Sequence, residues 1–189
     1  MVDYLRKAYL FSYNASLCCG WFYTLYVASK TYFSDGLSSV YPATELPLKV
    51  VQTAALMEVL HSFFGLVRSP VFVTGMQVAS RIWILWGVVA AVPDVTRDSL
   101  LLTKFGSVSV EISVASLLAA WALSEVIRYG FFAFKELGAT PYPLLWLRYT
   151  GFIVLYPIGV SSELTMLWLA LPTIKASEMW SVSMPNSLN

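Results

Sequence analysis

The sequence predicts an all-α fold, a polytopic bundle of transmembrane helices, and three observations carry that prediction. Hydrophobic residues make up 58% of the 189 and charged residues only 12%, half of the roughly 25% found in a soluble domain. Mean hydropathy is +0.67, and the apolar residues come in long runs, not in the alternating faces of an amphipathic helix. The chain also holds 7 Trp, 11 Tyr and 11 Phe, which suit membrane interfaces and close helix packing.

A membrane-crossing helix needs about 20 mostly apolar residues, and five stretches qualify: roughly 8–28, 49–67, 71–92, 109–134 and 144–172. Together they form a single membrane-embedded domain over 1–189. A basic start, Met1 to Lys7, precedes the first run as in a signal peptide. That run continues to about Ala28 without a clear small-residue cleavage site, so the helix is expected to be retained. "KTYFSDGLSSVYPATELPLK", with two prolines, reads as a polar connection to the second span. "RSP" at 68–70 turns the chain into the third, because proline lacks the N–H that a helix needs. "PDVTRDS" ends the third, and "KELGATPYP" separates the fourth from the fifth. The fifth run exceeds a bilayer's thickness, and Pro157 and Pro172 predict a kink, tilt or break within it. Counting basic residues on each side gives six against five, which sets no orientation.

Composition also excludes partners. A net charge of +1 gives no signal for nucleic acid. Cys18 and Cys19 are adjacent, about 100° apart on a helix, so they do not bridge. With His61 the only histidine, no metal-ligand set exists.

Function is therefore sought in ionisable residues inside the spans, each costing about 2.5–3.5 kcal/mol at a helix centre. Glu58 and His61, and Glu125 and Arg128, are i,i+3 pairs; Gln77 and Arg81 are i,i+4. Each pair shares a helix face, and such faces are expected to turn inward as a polar seam. Arg148 and Glu163 add to it in the fifth span. These groups serve either as structural ion pairs or as a site, and the spacing alone leaves both open. His61 is expected to bond to Glu58.

"LYPIGVSSE" carries the sharpest pattern. Tyr156 and Glu163, seven residues apart, lie within about 20° of one helix face and about 10.5 Å apart along the axis. A phenol and a desolvated carboxyl can together move protons, or they can be plain buried polarity. Pro157 and Gly159 between them can bend the helix and let a neighbour approach.

Four blocks, "LLWLRYTGFIVLYPIGVSSE", "QTAALMEVLHSFFGLVRSP", "MQVASRIWILWGVV" and "WALSEVIRYGFF", resemble the very-long-chain (3R)-3-hydroxyacyl-CoA dehydratases of fatty acid elongation, the PASTICCINO2-type family also called protein tyrosine phosphatase-like. "YLFSYNASLCCGW", "LPTIKASE" and "MPN" fit as well, so the likeness covers nearly the whole chain. It implies a hydro-lyase of the endoplasmic reticulum membrane with six spans, catalysing the third step of elongation. It implies Tyr156 and Glu163 as the catalytic pair, and supporting or substrate-binding roles for Glu58, Gln77, Arg81, Arg128 and Gly159. No metal or cofactor is implied, since coenzyme A arrives on the substrate. Membrane lipid and other elongase subunits are the implied neighbours.

Elimination needs a base for the C2 proton and an acid for the C3 hydroxyl. The preferred assignment makes Glu163 the base and Tyr156 the donor; the reverse stays open. Arg81 and Gln77 are expected to hold the thioester carbonyl or order the pair, and Arg128 to meet coenzyme A phosphates. The acyl chain is expected between apolar helices. A phosphatase reading of "HSFFGLVRS" fails because Ser62 stands where a nucleophilic cysteine is required. Two departures from the family stand out: the chain stops at Asn189 where a sixth span is expected, and "TKFGSVSVE" lengthens the connection before the fourth span. They raise a rival reading, a catalytically inactive truncated adaptor that binds elongase components.

Overall fold

The computed structural model describes residues 2–105 and 108–181; the closing "MPN" lies outside them. Helix α1 runs Val2–Asp35, α2 Leu37–Ala54, α3 Leu56–Phe63 and α4 Val71–Ile82. A π-helical turn, Trp83–Val89, prolongs α4, and a 3-10 turn follows at Pro93–Arg97. Strands β1 (Ser99–Phe105) and β2 (Val108–Ser113) form an antiparallel hairpin. Then come α5 (Val114–Glu136), α6 (Tyr142–Thr150) and α7 (Phe152–Ala176). Among the described residues three helices are long and apolar enough to cross a membrane: Val71–Val89, Val114–Glu136 and Phe152–Ala176. The fold is thus a helical membrane bundle.

Helix α5 is its axis. It packs against α1 on one side and α7 on another, with α6 and α2 also touching it. Trp21, Leu48, Leu85, Leu117, Leu118, Tyr129 and Met166 are fully buried around it. A capping box of Ser113 and Ser116 starts the helix, satisfying N–H groups that a helix beginning otherwise leaves open. The Ser116 hydroxyl also meets that of Ser162 at 2.8 Å, tying the start of α5 to α7.

The structure departs from the sequence reading in four places. The expected connection over 30–49 is helical: α1 continues to Asp35, Gly36 breaks it at φ 83°, and α2 runs through Pro42 and Pro47. Val40, Tyr41, Thr44, Leu48 and Val51 form a buried stripe at helical spacing, and its burial outweighs the donors lost at the prolines. The second run, 49–67, bends at Ala55 between α2 and α3. The fourth run starts later, because 108–113 is strand; apolar alternation in "VSVEIS" and the Gly-Ser pair before it in the sequence are hairpin signals. The fifth run parts at Gly151, not at its prolines, and α7 is continuous through Pro157 and Pro172.

Close approach of α1 and α2 depends on Gly20. A Cβ there would lie 2.6 Å from Cγ1 of Val51. Gly20→Ala is expected to lower stability by about 1–3 kcal/mol through overpacking, and Val51→Ala to restore most of the loss. Thermal unfolding of the single and double variants in detergent checks this.

Candidate active site

Between α2–α3, α4, α5, α6 and α7 lies a cavity of about 570 Å³. Its wall includes all seven residues to which the family likeness assigns a role, Glu58, Gln77, Arg81, Arg128, Tyr156, Gly159 and Glu163, but not His61. Helix geometry explains the convergence of Tyr156, Gly159 and Glu163, which share a stripe at i, i+3 and i+7. Tyr156 is 70% exposed and stands at the mouth; Glu163 is half-buried and lies further in.

Glu163 is held in place. Its Oε1 accepts a 2.8 Å hydrogen bond from the indole N–H of Trp121 on α5. The Arg81 guanidinium lies 5.8 Å from the centre of the Trp121 ring, within the range of a cation–π contact. Gly159 is buried against Ala120, whose Cβ would be 3.8 Å from an added methyl. That is ordinary contact, so helix packing alone does not demand glycine here.

Behind this pair sits an ionic network. Arg128 donates to both oxygens of Glu58, at 2.6 and 2.8 Å, and its Nε donates to Glu125 Oε2 at 2.9 Å. A second bond runs from Arg128 Nη2 to Glu125, Arg81 Nη1 donates to the other oxygen of Glu125, and Tyr129 O–H donates to Glu58. Two carboxylates and two guanidiniums cancel in charge, and Glu125 is almost wholly buried. Such an arrangement suits a low-dielectric interior, where charges persist only when paired and hydrogen-bonded.

The network corrects one expected role. All three nitrogens of Arg128 already donate to carboxylates, so it is not free to meet phosphates. Arg148 on α6 also lines the cavity, stacked 5.6 and 5.1 Å from the rings of Phe131 and Phe132. It has no carboxylate within 4.0 Å among the described residues. Nor does His61 bond to Glu58: its Nε2 is 2.8 Å from the Tyr9 hydroxyl, with Tyr13 edge-on to its ring. Ser62 is buried and its hydroxyl pairs with that of Ser69. Trp121 and Tyr129 are the site residues that the sequence reading missed. Trp121 was discoverable, because it falls at i, i+4, i+7 with Glu125 and Arg128.

Helices of membrane-crossing length around a charge-neutral polar cavity define the class: a helical membrane protein with an internal candidate active site. Comparison with known proteins narrows it. The family model described as "Protein tyrosine phosphatase-like protein, PTPLA" matches residues 52–189. The very-long-chain (3R)-3-hydroxyacyl-CoA dehydratase PASTICCINO 2 of Arabidopsis thaliana is 46% identical over 186 residues, 98% of this chain and 78% of its own. PASTICCINO 2A of Oryza sativa subsp. japonica is 44% identical over the same shares. The very-long-chain (3R)-3-hydroxyacyl-CoA dehydratase 2 of Homo sapiens is 40% identical over 98% of this chain and 68% of its own. The chain therefore belongs to the protein tyrosine phosphatase-like, PTPLA, family. No solved structure matches it.

Removing Arg128 would leave Glu58 without a counter-charge and the buried Glu125 with Arg81 alone. Arg128→Met is expected to cost about 3–5 kcal/mol of stability, and adding Glu58→Gln to recover part of it. Denaturation in detergent of the two variants beside the parent measures both.

Proposed function

We infer that this chain is a hydro-lyase that dehydrates very-long-chain (3R)-3-hydroxyacyl-CoA to the trans-2-enoyl-CoA, the third step of very-long-chain fatty acid elongation. The observation that carries the reading is the placement of Tyr156 and Glu163 on one wall of one cavity, with Glu163 fixed by Trp121. The relatives named above are all called dehydratases, so an inactive adaptor is not favoured.

In the proposed mechanism Glu163 takes the C2 proton. The C2 electron pair forms the double bond as the C3–O bond breaks, and Tyr156 protonates the departing oxygen to give water. Proton return from Glu163 to Tyr156, through solvent at the mouth, resets the site. Arg81 and Gln77 are proposed to face the thioester carbonyl, where donors stabilise developing negative charge. Arg148, unpaired with any carboxylate among the described residues, replaces Arg128 as the proposed partner of coenzyme A phosphate. Glu58 and Arg128 then act by holding the wall in shape.

The acyl tail is proposed to leave along α7. Val160 lines the cavity, and Leu164, Leu167 and Leu171 continue the same stripe at i+4, i+7 and i+11. Those three line an apolar groove of about 300 Å³ that Leu100 of the hairpin closes from the side. Neither metal nor redox cofactor has a part in these steps. The protein is proposed to work as a multi-pass protein of the endoplasmic reticulum membrane, with membrane lipid around it and other elongase subunits beside it.

The test is turnover in membranes lacking their own dehydratase, with 2-enoyl-CoA followed by mass spectrometry. Tyr156→Phe and Glu163→Gln are each expected to reduce the rate by about 10²-fold or more. Trp121→Phe, which removes one hydrogen bond to Glu163, is expected to cost about tenfold, equivalent to about 1.4 kcal/mol. An inert parent chain rejects the reading.

A further inference from the structure

One helix at the cavity has a face that the described residues leave uncovered. Helix α6 holds no buried residue. Its inner side is nonetheless seated on α5. Leu144 comes within 3.9 Å of where a Cβ on the buried Gly130 would stand, and Arg148, one turn on, lies beside Phe131 and Phe132. The opposite side carries Tyr142, Trp146 and Tyr149, which are 73%, 54% and 67% exposed. Their spacing, i, i+4 and i+7, sets the three rings in one stripe.

The stripe does not end with α6. Gly151 keeps right-handed helical angles, φ −58° and ψ −29°. Its N–H donates to the Leu147 carbonyl at 2.8 Å, and the Leu155 N–H donates to its own carbonyl at 2.9 Å. The helical phase therefore carries through the junction, and Ile153 follows at i+11, exposed on a helix of membrane-crossing length. Residue type changes along the stripe as a bilayer does. From Phe152 to Leu171 the only charged side chain is Glu163, and at about 1.5 Å per residue this run measures about 30 Å, the thickness of the hydrocarbon core. Tyr149 and Trp146 stand about 4.5 and 9 Å beyond Phe152 along the axis, where the headgroup layer extends about 5–8 Å past the core. Tyrosine and tryptophan concentrate at that level, because one end of the ring is apolar and the other meets water.

We propose that α6 is a headgroup anchor: Tyr142, Trp146 and Tyr149 seat in the polar headgroup layer of one leaflet and set the depth at which the cavity stands in the bilayer. The occupant of the stripe is lipid and not a protein, because the stripe continues into the exposed apolar face of α7, whose length and composition suit a bilayer. The depth follows from the same register. Tyr156 lies four residues inside the core, about 6 Å from its edge, and Glu163 eleven residues inside, about 16 Å and so near mid-bilayer. Arg148, on the seated side of α6, lines the cavity from outside the core. The anchor itself does not depend on the dehydratase reading. Joined to that reading, it puts the proposed phosphate partner in the headgroup layer and the proposed base in hydrocarbon, the order in which the polar head and acyl chain of a coenzyme A thioester would lie.

The experiment reconstitutes the full chain, carrying Cys18→Ser and Cys19→Ser, in phosphatidylcholine vesicles. One spin label at a time is attached, on Trp146→Cys, Tyr149→Cys or Leu164→Cys. Collision of the label with dissolved oxygen, which favours hydrocarbon, is compared with collision with a water-soluble nickel chelate and with a nickel-chelating lipid headgroup. Leu164, exposed midway along α7, is the hydrocarbon reference. At Trp146 and Tyr149 the ratio of oxygen to soluble nickel is expected at least fivefold below the reference, and relaxation by the nickel lipid at least fivefold above it. Collision with soluble nickel within twofold of the label free in water would put α6 in solvent, open to a protein, and overturn the proposal. A ratio within twofold of the reference would put it in hydrocarbon, and shielding from all three relaxants would put it against a second copy; each overturns the proposal as well. Two labelled positions on one face keep the test decisive if one variant fails to fold, and no step of it requires turnover.

Discussion

The ion network of Glu58, Arg81, Glu125 and Arg128 is the constraint on which the rest of the bundle depends. It joins α3, α4 and α5 through side chains that cannot tolerate an apolar surround alone. Because each guanidinium is shared between a network bond and a cavity wall, the helices must stand far enough apart to seat it. The cavity follows from that spacing. A bundle packed only by leucine and valine would close the same space.

The two carboxylates and two guanidiniums offset one another behind the wall. The Trp121 indole is placed to supply Glu163 with a donor, while Arg81 is held by Glu125 on its far side. Arg148 differs in kind: the rings of Phe131 and Phe132 lie beside it, and among the described residues no carboxylate pairs with it.

Membrane character was legible in the sequence because lipid imposes a composition that water does not permit. The candidate site was legible for a related reason: a charged residue in an apolar run is costly enough to mark itself. Tyr156, Glu163, Glu58, Gln77, Arg81, Arg128 and Gly159 were found this way or through family likeness, and all reach one cavity. What stayed hidden depended on tertiary contact. Pro42 and Pro47 signal a loop locally, and only the packing of α2 on α1 keeps them helical. His61 shares a face with Glu58, yet Tyr9 takes it.

The sequence separation within the network bears on how the chain is made. Arg81 meets a residue 44 positions later, and Glu58 meets one 70 positions later. At about 5–20 residues per second of synthesis, α3 and α4 exist for seconds before α5 is available to neutralise them. During that interval their charges need shelter, from water at the membrane surface or from the insertion machinery. Biogenesis of this bundle therefore waits on its fourth apolar run, and interruption of translation before Glu125 leaves a product whose early helices have no stable home in lipid.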